Sequence, residues 1–111
     1  MAIRTDFSFI RLEDGVLAVS MSPPTNITNW NLQFTRLLFT SSTSAIVTKS
    51  AASGYASNQS GINLTSPTQG VFQVQINSAD NSGDVRPYYH KVERLDSGFR
   101  SVLVEGIYLL R

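Results

Sequence analysis

Hydrophobic and polar positions alternate with a period of two along most of this chain, the spacing of strands with one buried and one wet face, and no segment carries a helical stripe. Residues 5–11 place Phe7 and Phe9 on one side and Ser8 and Ile10 on the other. Leu12-Glu13-Asp14-Gly15 reads as a turn, because Asp-Gly supplies the positive φ of a tight hairpin. Leu17, Val19 and Met21 then alternate with Ala18 and Ser20. Pro23-Pro24 ends that strand, since proline cannot donate to a sheet ladder. After a polar connection over 25–29, Trp30, Leu32 and Phe34 form the clearest core stripe, opposed by Asn31, Gln33 and Thr35. Residues 37–39 are expected to continue it across a bulge.

Residues 45–48 read as a shorter strand at an edge, and 49–61, small and polar around Gly54, as a loop or irregular edge. Ile62 and Leu64 alternate with Asn63 and Thr65 before the turn cluster Ser66-Pro67-Thr68-Gln69-Gly70. Phe72, Val74 and Ile76 make the next half-buried strand. A turn-rich stretch over 77–84 follows, with Gly83 available for a left-handed position. Tyr88, His90 and Val92 share one face against Tyr89, Lys91 and Glu93. Asp96-Ser97-Gly98 makes the last turn, and residues 99–110 form the closing strand, with Val102, Val104 and Leu110 among its apolar positions. About seven or eight short strands with regular turn signals predict a sandwich or barrel rather than an α/β fold. The apolar run to Arg111 is expected to be the final strand of a complete domain.

Length and composition narrow the picture. A chain of 111 residues is one domain, 1–111. A domain of this size buries roughly 60–70% of the surface its unfolded chain exposes, so it needs no staple. There is no cysteine, which excludes a disulfide framework and a thiolate metal site. The net charge of +1, with charged residues at 15%, argues against a nucleic-acid partner, which would select a basic stripe. No stretch approaches the ~18 apolar residues of a membrane span. The start Met1-Ala2-Ile3-Arg4-Thr5-Asp6 lacks the apolar run of a secretion signal, so synthesis in a cytoplasm is expected. The sequons at Asn26, Asn58 and Asn63 therefore carry little weight.

Candidate chemistry is sparse. His90 is the only histidine, no serine sits on a Gly-x-Ser-x-Gly elbow, and His90 shares its strand face with Tyr88 and Val92, so a half-buried sheet residue is the plainer reading. Asp80-Asn81-Ser82-Gly83-Asp84 has oxygen ligands at alternating spacing but no distal glutamate to close a calcium loop, and reads as a turn. Glu93, Asp96 and Glu105 could be imagined as paired carboxylates, but Arg94 and Arg100 beside them suggest cross-strand ion pairs. Tyr88, Tyr89 and Tyr108 are the candidate contacts for a glycan or a protein partner, weighed against ordinary packing of strand tyrosines. No catalytic residue, cofactor or metal is expected.

From the second strand onward the chain resembles a family of small Ig-like phage virion structural proteins, related to the N-terminal domain of phage baseplate upper proteins. Three segments carry the likeness. They are Ile27-Thr28-Asn29-Trp30-Asn31-Leu32-Gln33-Phe34; Gly70-Val71-Phe72-Gln73-Val74-Gln75-Ile76 followed by Ser78-Ala79-Asp80; and Tyr88-Tyr89-His90-Lys91-Val92-Glu93-Arg94-Leu95-Asp96-Ser97-Gly98 leading to Val102-Leu103-Val104-Glu105-Gly106. Their order and spacing cover most of residues 25–110. The chain departs from the family at Val85-Arg86-Pro87-Tyr88, where a Pro-Gly turn often precedes the tyrosine, and in the longer run 49–61.

The resemblance implies an all-β, immunoglobulin-like antiparallel sandwich without catalysis, present in several copies and attached to other virion proteins in the tail, baseplate, neck or capsid decoration. It implies a virion location; the low charge and the lack of a long apolar run leave no nucleic acid and no membrane as expected partners. The exposed edges, the polar stretch 41–61 and the N-terminal strand are the expected contacts. A carbohydrate-binding or host-recognition module is the alternative. A small hydrolase using His90 or the acidic group ranks last.

Overall fold

The structure is a computed structural model that describes residues 3–42, 44–51, 61–96 and 98–111, and Phe99 by its backbone alone. Among the described residues nine strands run in chain order: β1 (Ile3–Arg4), β2 (Phe7–Phe9), β3 (Gly15–Ser20), β4 (Leu32–Leu37), β5 (Val47–Ala51), β6 (Ile62–Ser66), β7 (Val71–Ile76), β8 (Arg86–Asp96) and β9 (Phe99–Leu110). One sheet has the order β1-β9-β8-β4-β5, with β2 also paired to β9; the other is β3-β7-β6. Their inner faces meet in a common core.

This is the strand arrangement of an immunoglobulin-like sandwich, in which β3, β7 and β6 hold the places of strands B, E and D and β9, β8, β4 and β5 those of G, F, C and C′. A second hallmark accompanies it. Tyr88, near the start of the F-type strand β8, donates its hydroxyl to the Asp84 carbonyl at 2.7 Å, the tyrosine corner of such domains. The fold class expected from the sequence is therefore observed, with nine strands among the described residues in place of about seven or eight, and with one further amendment. The sheets are not wholly antiparallel, because β1 and β2 pair with β9 in parallel.

Several local expectations are corrected by the crossing of the chain between sheets. The strand expected over 5–11 is two short pieces, β1 and β2, both on the six-stranded sheet. The turn at 12–15 thus joins different sheets instead of closing a hairpin, and the positive φ falls at Leu12 (68°), not at Gly15. Gly15 serves a different need, since a Cβ there would stand 2.9 Å from the Phe9 ring. The β4 stripe stops at Leu37 without a bulge, and Leu38 and Phe39 are exposed. The edge strand expected over 45–48 lies at Val47–Ala51 and takes in Lys49; of 49–61, residues 52–60 lie outside the described residues, as do Gly54 and Ser97. Gly83 has no left-handed φ; its small size admits the Tyr88 hydroxyl, which a Cβ would meet at 3.1 Å.

The remaining alternations bury as their period requires. Leu17, Val19, Phe72, Val74, Ile62 and Leu64 all face inward from the three-stranded sheet. On β9 a register shift opposite Val92 and Glu93 inserts Leu103, so that Leu103 and Val104 are both buried.

Candidate interaction surfaces and the buried polar centre

The inner face of β4 carries the largest departure from an apolar core. Arg36 follows Leu32 and Phe34 in the same phase and is only 1% exposed. Its guanidinium lies over the Tyr88 ring at 4.5 Å and the Tyr108 ring at 5.0 Å. Such desolvated cation–aromatic contacts are worth up to ~2 kcal/mol. Its Nη1 donates to Asn81 Oδ1 at 3.4 Å, and the Tyr108 hydroxyl donates to the same oxygen. Asn81 is itself fully buried and donates to the Glu13 carbonyl at 2.6 Å, while its own carbonyl accepts from the Leu12 N–H at 2.9 Å. The chain from β4 through the 3-10 turn Ser78–Asn81 to the β2–β3 crossing is thus one polar network. Burial pushes the Tyr108 hydroxyl above its ordinary pKa, against the opposing pull of Arg36.

His90 is also fully buried, on β8 between the rings of Phe7 (5.0 Å) and Phe34 (6.0 Å). Its Nε2 donates to the Thr5 carbonyl at 2.7 Å; because a carbonyl only accepts, the ring proton sits on Nε2. Nδ1 has no hydrogen-bond partner among the described residues. Burial lowers the His90 pKa, although the Thr5 bond favours the charged ring. The contact depends on Gly106, directly opposite His90 in the β8–β9 ladder. A Cβ at 106 would come within 2.1 Å of the Thr5 carbonyl oxygen, so the N-terminal segment can cross there only over a glycine. Asp6 then accepts from the Ile107 N–H at 2.8 Å and anchors the crossing.

The other sequence candidates separate. In the 80–84 stretch, Asp80 closes a capping box with Asn77 and pairs with Lys49 at 2.8 Å, so its carboxylate is engaged. Among the described residues no three His, Cys, Asp or Glu side chains are grouped to hold a metal. Glu93 pairs with Lys91 (3.3 Å) and Arg100 (3.9 Å), Asp96 with Arg94 (2.8 Å), and Glu105 accepts from the Tyr89 hydroxyl (3.3 Å). The hydrogen bond from Arg94 is the main reason the Asp96 carboxyl titrates below its ordinary range. Arg94 also lies over Trp30 at 3.9 Å.

The three tyrosines do not form one platform. Tyr88 and Tyr108 point into the core, 3% and 0% exposed, and are occupied by Asp84, Asn81 and Arg36. Tyr89 alone faces outward, its hydroxyl pKa raised by burial and by Glu105. Around it lies an open apolar hollow of about 310 Å³, lined among others by Leu38, Phe39, Arg86, Pro87 and Ile107. Arg86 stacks on Phe39 at 4.9 Å. A second hollow of about 390 Å³ on the same sheet face is polar, lined by Gln33, Thr35, Thr48, Lys91, Glu93 and Arg100. Sequence reasoning missed Arg36 and read Asn81 only as part of the 80–84 turn, not as the centre of a buried network. The phase of Arg36 with Leu32 and Phe34 was the available signal for the first; nothing local marks the second. Comparison of the chain with family models, characterised proteins and solved structures finds no match.

Proposed function

We propose that this chain is a non-enzymatic structural or adaptor domain of a phage virion, acting through contacts with other virion proteins. The observation that carries the reading is the apolar hollow around Tyr89, where Leu38, Phe39 and Ile107 are exposed together on one end of the large sheet. Contiguous exposed apolar surface marks contact with another macromolecule. The likeness of the three segments noted above to small Ig-like virion proteins, with the sandwich itself, supports a tail, baseplate, neck or decoration role. The protein is present in several copies per particle and works without catalysis, cofactor or metal. The test is mass spectrometry of density-banded particles induced from the cells that encode this chain. Recovery at fixed stoichiometry is expected; its absence from intact particles overturns the reading.

A carbohydrate-binding or host-recognition module is the second reading, favoured by the polar hollow with its Gln33, Thr35 and Thr48 donors and acceptors beside Lys91 and Glu93. A glycan array on the purified protein distinguishes it: specific retention that Lys91→Ala abolishes supports it, and a blank array removes it.

A further inference from the structure

The N-terminal segment forms one edge of the large sheet and is lightly attached there. Among the described residues β1 and β2 are the shortest strands, two and three residues long, and Thr5 and Asp6 break the ladder between them. At that break the Thr5 N–H donates to the Glu105 carbonyl at 2.9 Å, and Asp6 accepts from the Ile107 N–H at 2.8 Å. Arg4 pairs with Asp6 at 3.4 Å, but both side chains are more than half exposed, where such pairs contribute little. Phe7 is only half-buried. Firm anchorage begins at Phe9, which is buried and stacked on Tyr108 at 5.5 Å. Residues 3–7 are therefore a strap laid along β9, with its hinge before Phe9.

The strap covers His90, whose ring is fully buried. Thr5 accepts from Nε2 at 2.7 Å and the Phe7 ring lies 5.0 Å away, so two of the groups against the imidazole belong to the strap. Nδ1 is buried with no hydrogen-bond partner among the described residues. In the neutral ring this nitrogen is an acceptor; in the charged ring it becomes a second donor with nothing to receive it. A like charge stands beside it as well. Arg36, itself buried, is the direct cross-strand neighbour of His90 on the inner face of β4, and directly opposed like charges repel. The other charged groups facing the ring are Arg4 and Asp6 on the strap and Glu105 on β9, while the small sheet presents apolar side chains to the core. Thr5 and Asp6 favour the charged ring, but its burial outweighs them.

We propose that residues 3–7 are an acid-released strap: protonation of His90 lifts them from β9 while the rest of the sandwich keeps its ladders. Lifting brings water to the imidazolium and gives its Nδ1 proton an acceptor. It also bares the Glu105 carbonyl and the Ile107 N–H on β9, both of which the strap occupies when closed. The ring is neutral and the strap closed above about pH 6.5, and the closed form loses its advantage as pH falls below that value. In the lifted form a hydrated histidine titrates near ~6.5, so at pH 5 the opening constant rises by up to about thirtyfold over its value at pH 7.5. Histidine protonation gates segments in this way in pH sensors. The strap is a property of the fold and does not depend on the virion role.

Amide hydrogen exchange of the full chain, followed by NMR at pH 7.5 and pH 5 and corrected for intrinsic rates, tests it. The Thr5 and Ile107 amides are expected to be at least about tenfold less protected than those of β3 and β7 at both pH values. At pH 5 they lose a further about five- to thirtyfold. Equal protection at the strap and in the β3–β7 ladder means that the strap leaves only with global unfolding, and overturns the proposal. His90→Gln keeps a donor for the Thr5 carbonyl without titrating, so the acid-dependent loss should vanish in it; a loss that persists there overturns the assignment to His90. Asp6→Asn keeps an acceptor for Ile107 and removes the carboxylate, and the loss should survive it; disappearance would make Asp6 the trigger instead. The His90 ring signal of the unmodified protein needs no variant: a midpoint below 6.5 is expected, and one at or above 6.5 overturns the strap as an acid release.

Discussion

The two sheets contribute opposite kinds of surface to the same core. From β3, β7 and β6 come only aliphatic side chains and Phe72; from the large sheet come Arg36, His90, Tyr88 and Tyr108 among the apolar residues. The small sheet is held by burial, which is insensitive to direction. The large sheet adds directed bonds, and each of these ties down a segment outside its own ladder. Arg36 and Tyr108 hold Asn81 and hence the β7–β8 connection, Tyr88 holds Asp84, and His90 holds Thr5. Where the chain leaves its ladder, to cross between sheets or to break between β1 and β2, polar anchors fix its path; where strands merely face the core, shape and apolarity suffice.

That contrast can be broken at either layer. The largest expected effect is on the apolar side: Phe72→Ala leaves a cavity under β7 and costs about 3–5 kcal/mol in urea unfolding. On the polar side Arg36→Ala is expected to cost about 3 kcal/mol, since it empties a large buried site and strips Asn81 of a donor. Arg36→Met keeps the stem volume and should recover part of that loss; equal losses for the two variants would mean that the guanidinium, not the volume, carries the contribution. Gly106→Ala drives a Cβ into the Thr5 carbonyl, and about 1–3 kcal/mol is expected, together with faster hydrogen exchange at the Thr5 N–H, which donates to Glu105. Faster exchange confined to β6 would show that the crossing does not depend on that glycine. Tyr88→Phe should cost about 1 kcal/mol through the lost bond to Asp84.

The smallest effect sharpens the comparison through pH. The folded state lowers the His90 pKa below its ordinary 6.5. Between the two values the unfolded chain binds more protons, so stability rises with pH there. The neutral-ring contribution is complete above about 6.5 and is lost as pH falls toward the folded value. Thermal melts from pH 7.5 to 5 should show this slope, and His90→Gln should flatten it. An unchanged slope in the variant would assign the pH dependence to the carboxylates.

Much of the sandwich could be read in advance because strand alternation is a local property. The phases of Leu17 and Val19, Phe72 to Ile76, and Tyr88 to Val92 are each contained within one strand and needed no partner to be assigned. The same logic reached His90 as a sheet residue and the 80–84 stretch as a turn. It stopped at what the tyrosines do, because a phenol serves equally as a packing residue and as an exposed contact. Which of Tyr88, Tyr89 and Tyr108 are buried depends on where Arg36, Asn81 and Glu105 stand, 27 residues away from Tyr108 in the case of Asn81. The apolar hollow was equally hidden, since Leu38 and Phe39 follow a core strand and look like its continuation.

By itself, then, the sequence determined most of the strands, the turns at Gly70 and Gly98, and the absence of any thiol chemistry, because each follows from side chains a few positions apart. Only the tertiary structure decided that the N-terminal strand joins β9 in parallel, that a cation is buried between two tyrosines, and that β3 and β6 are the outer strands of the small sheet. Those outcomes depend on which strands become neighbours, and paired residues here lie as far apart in the chain as Phe7 and Tyr108 do. Alternation fixes which face a residue takes; pairing fixes what it meets there.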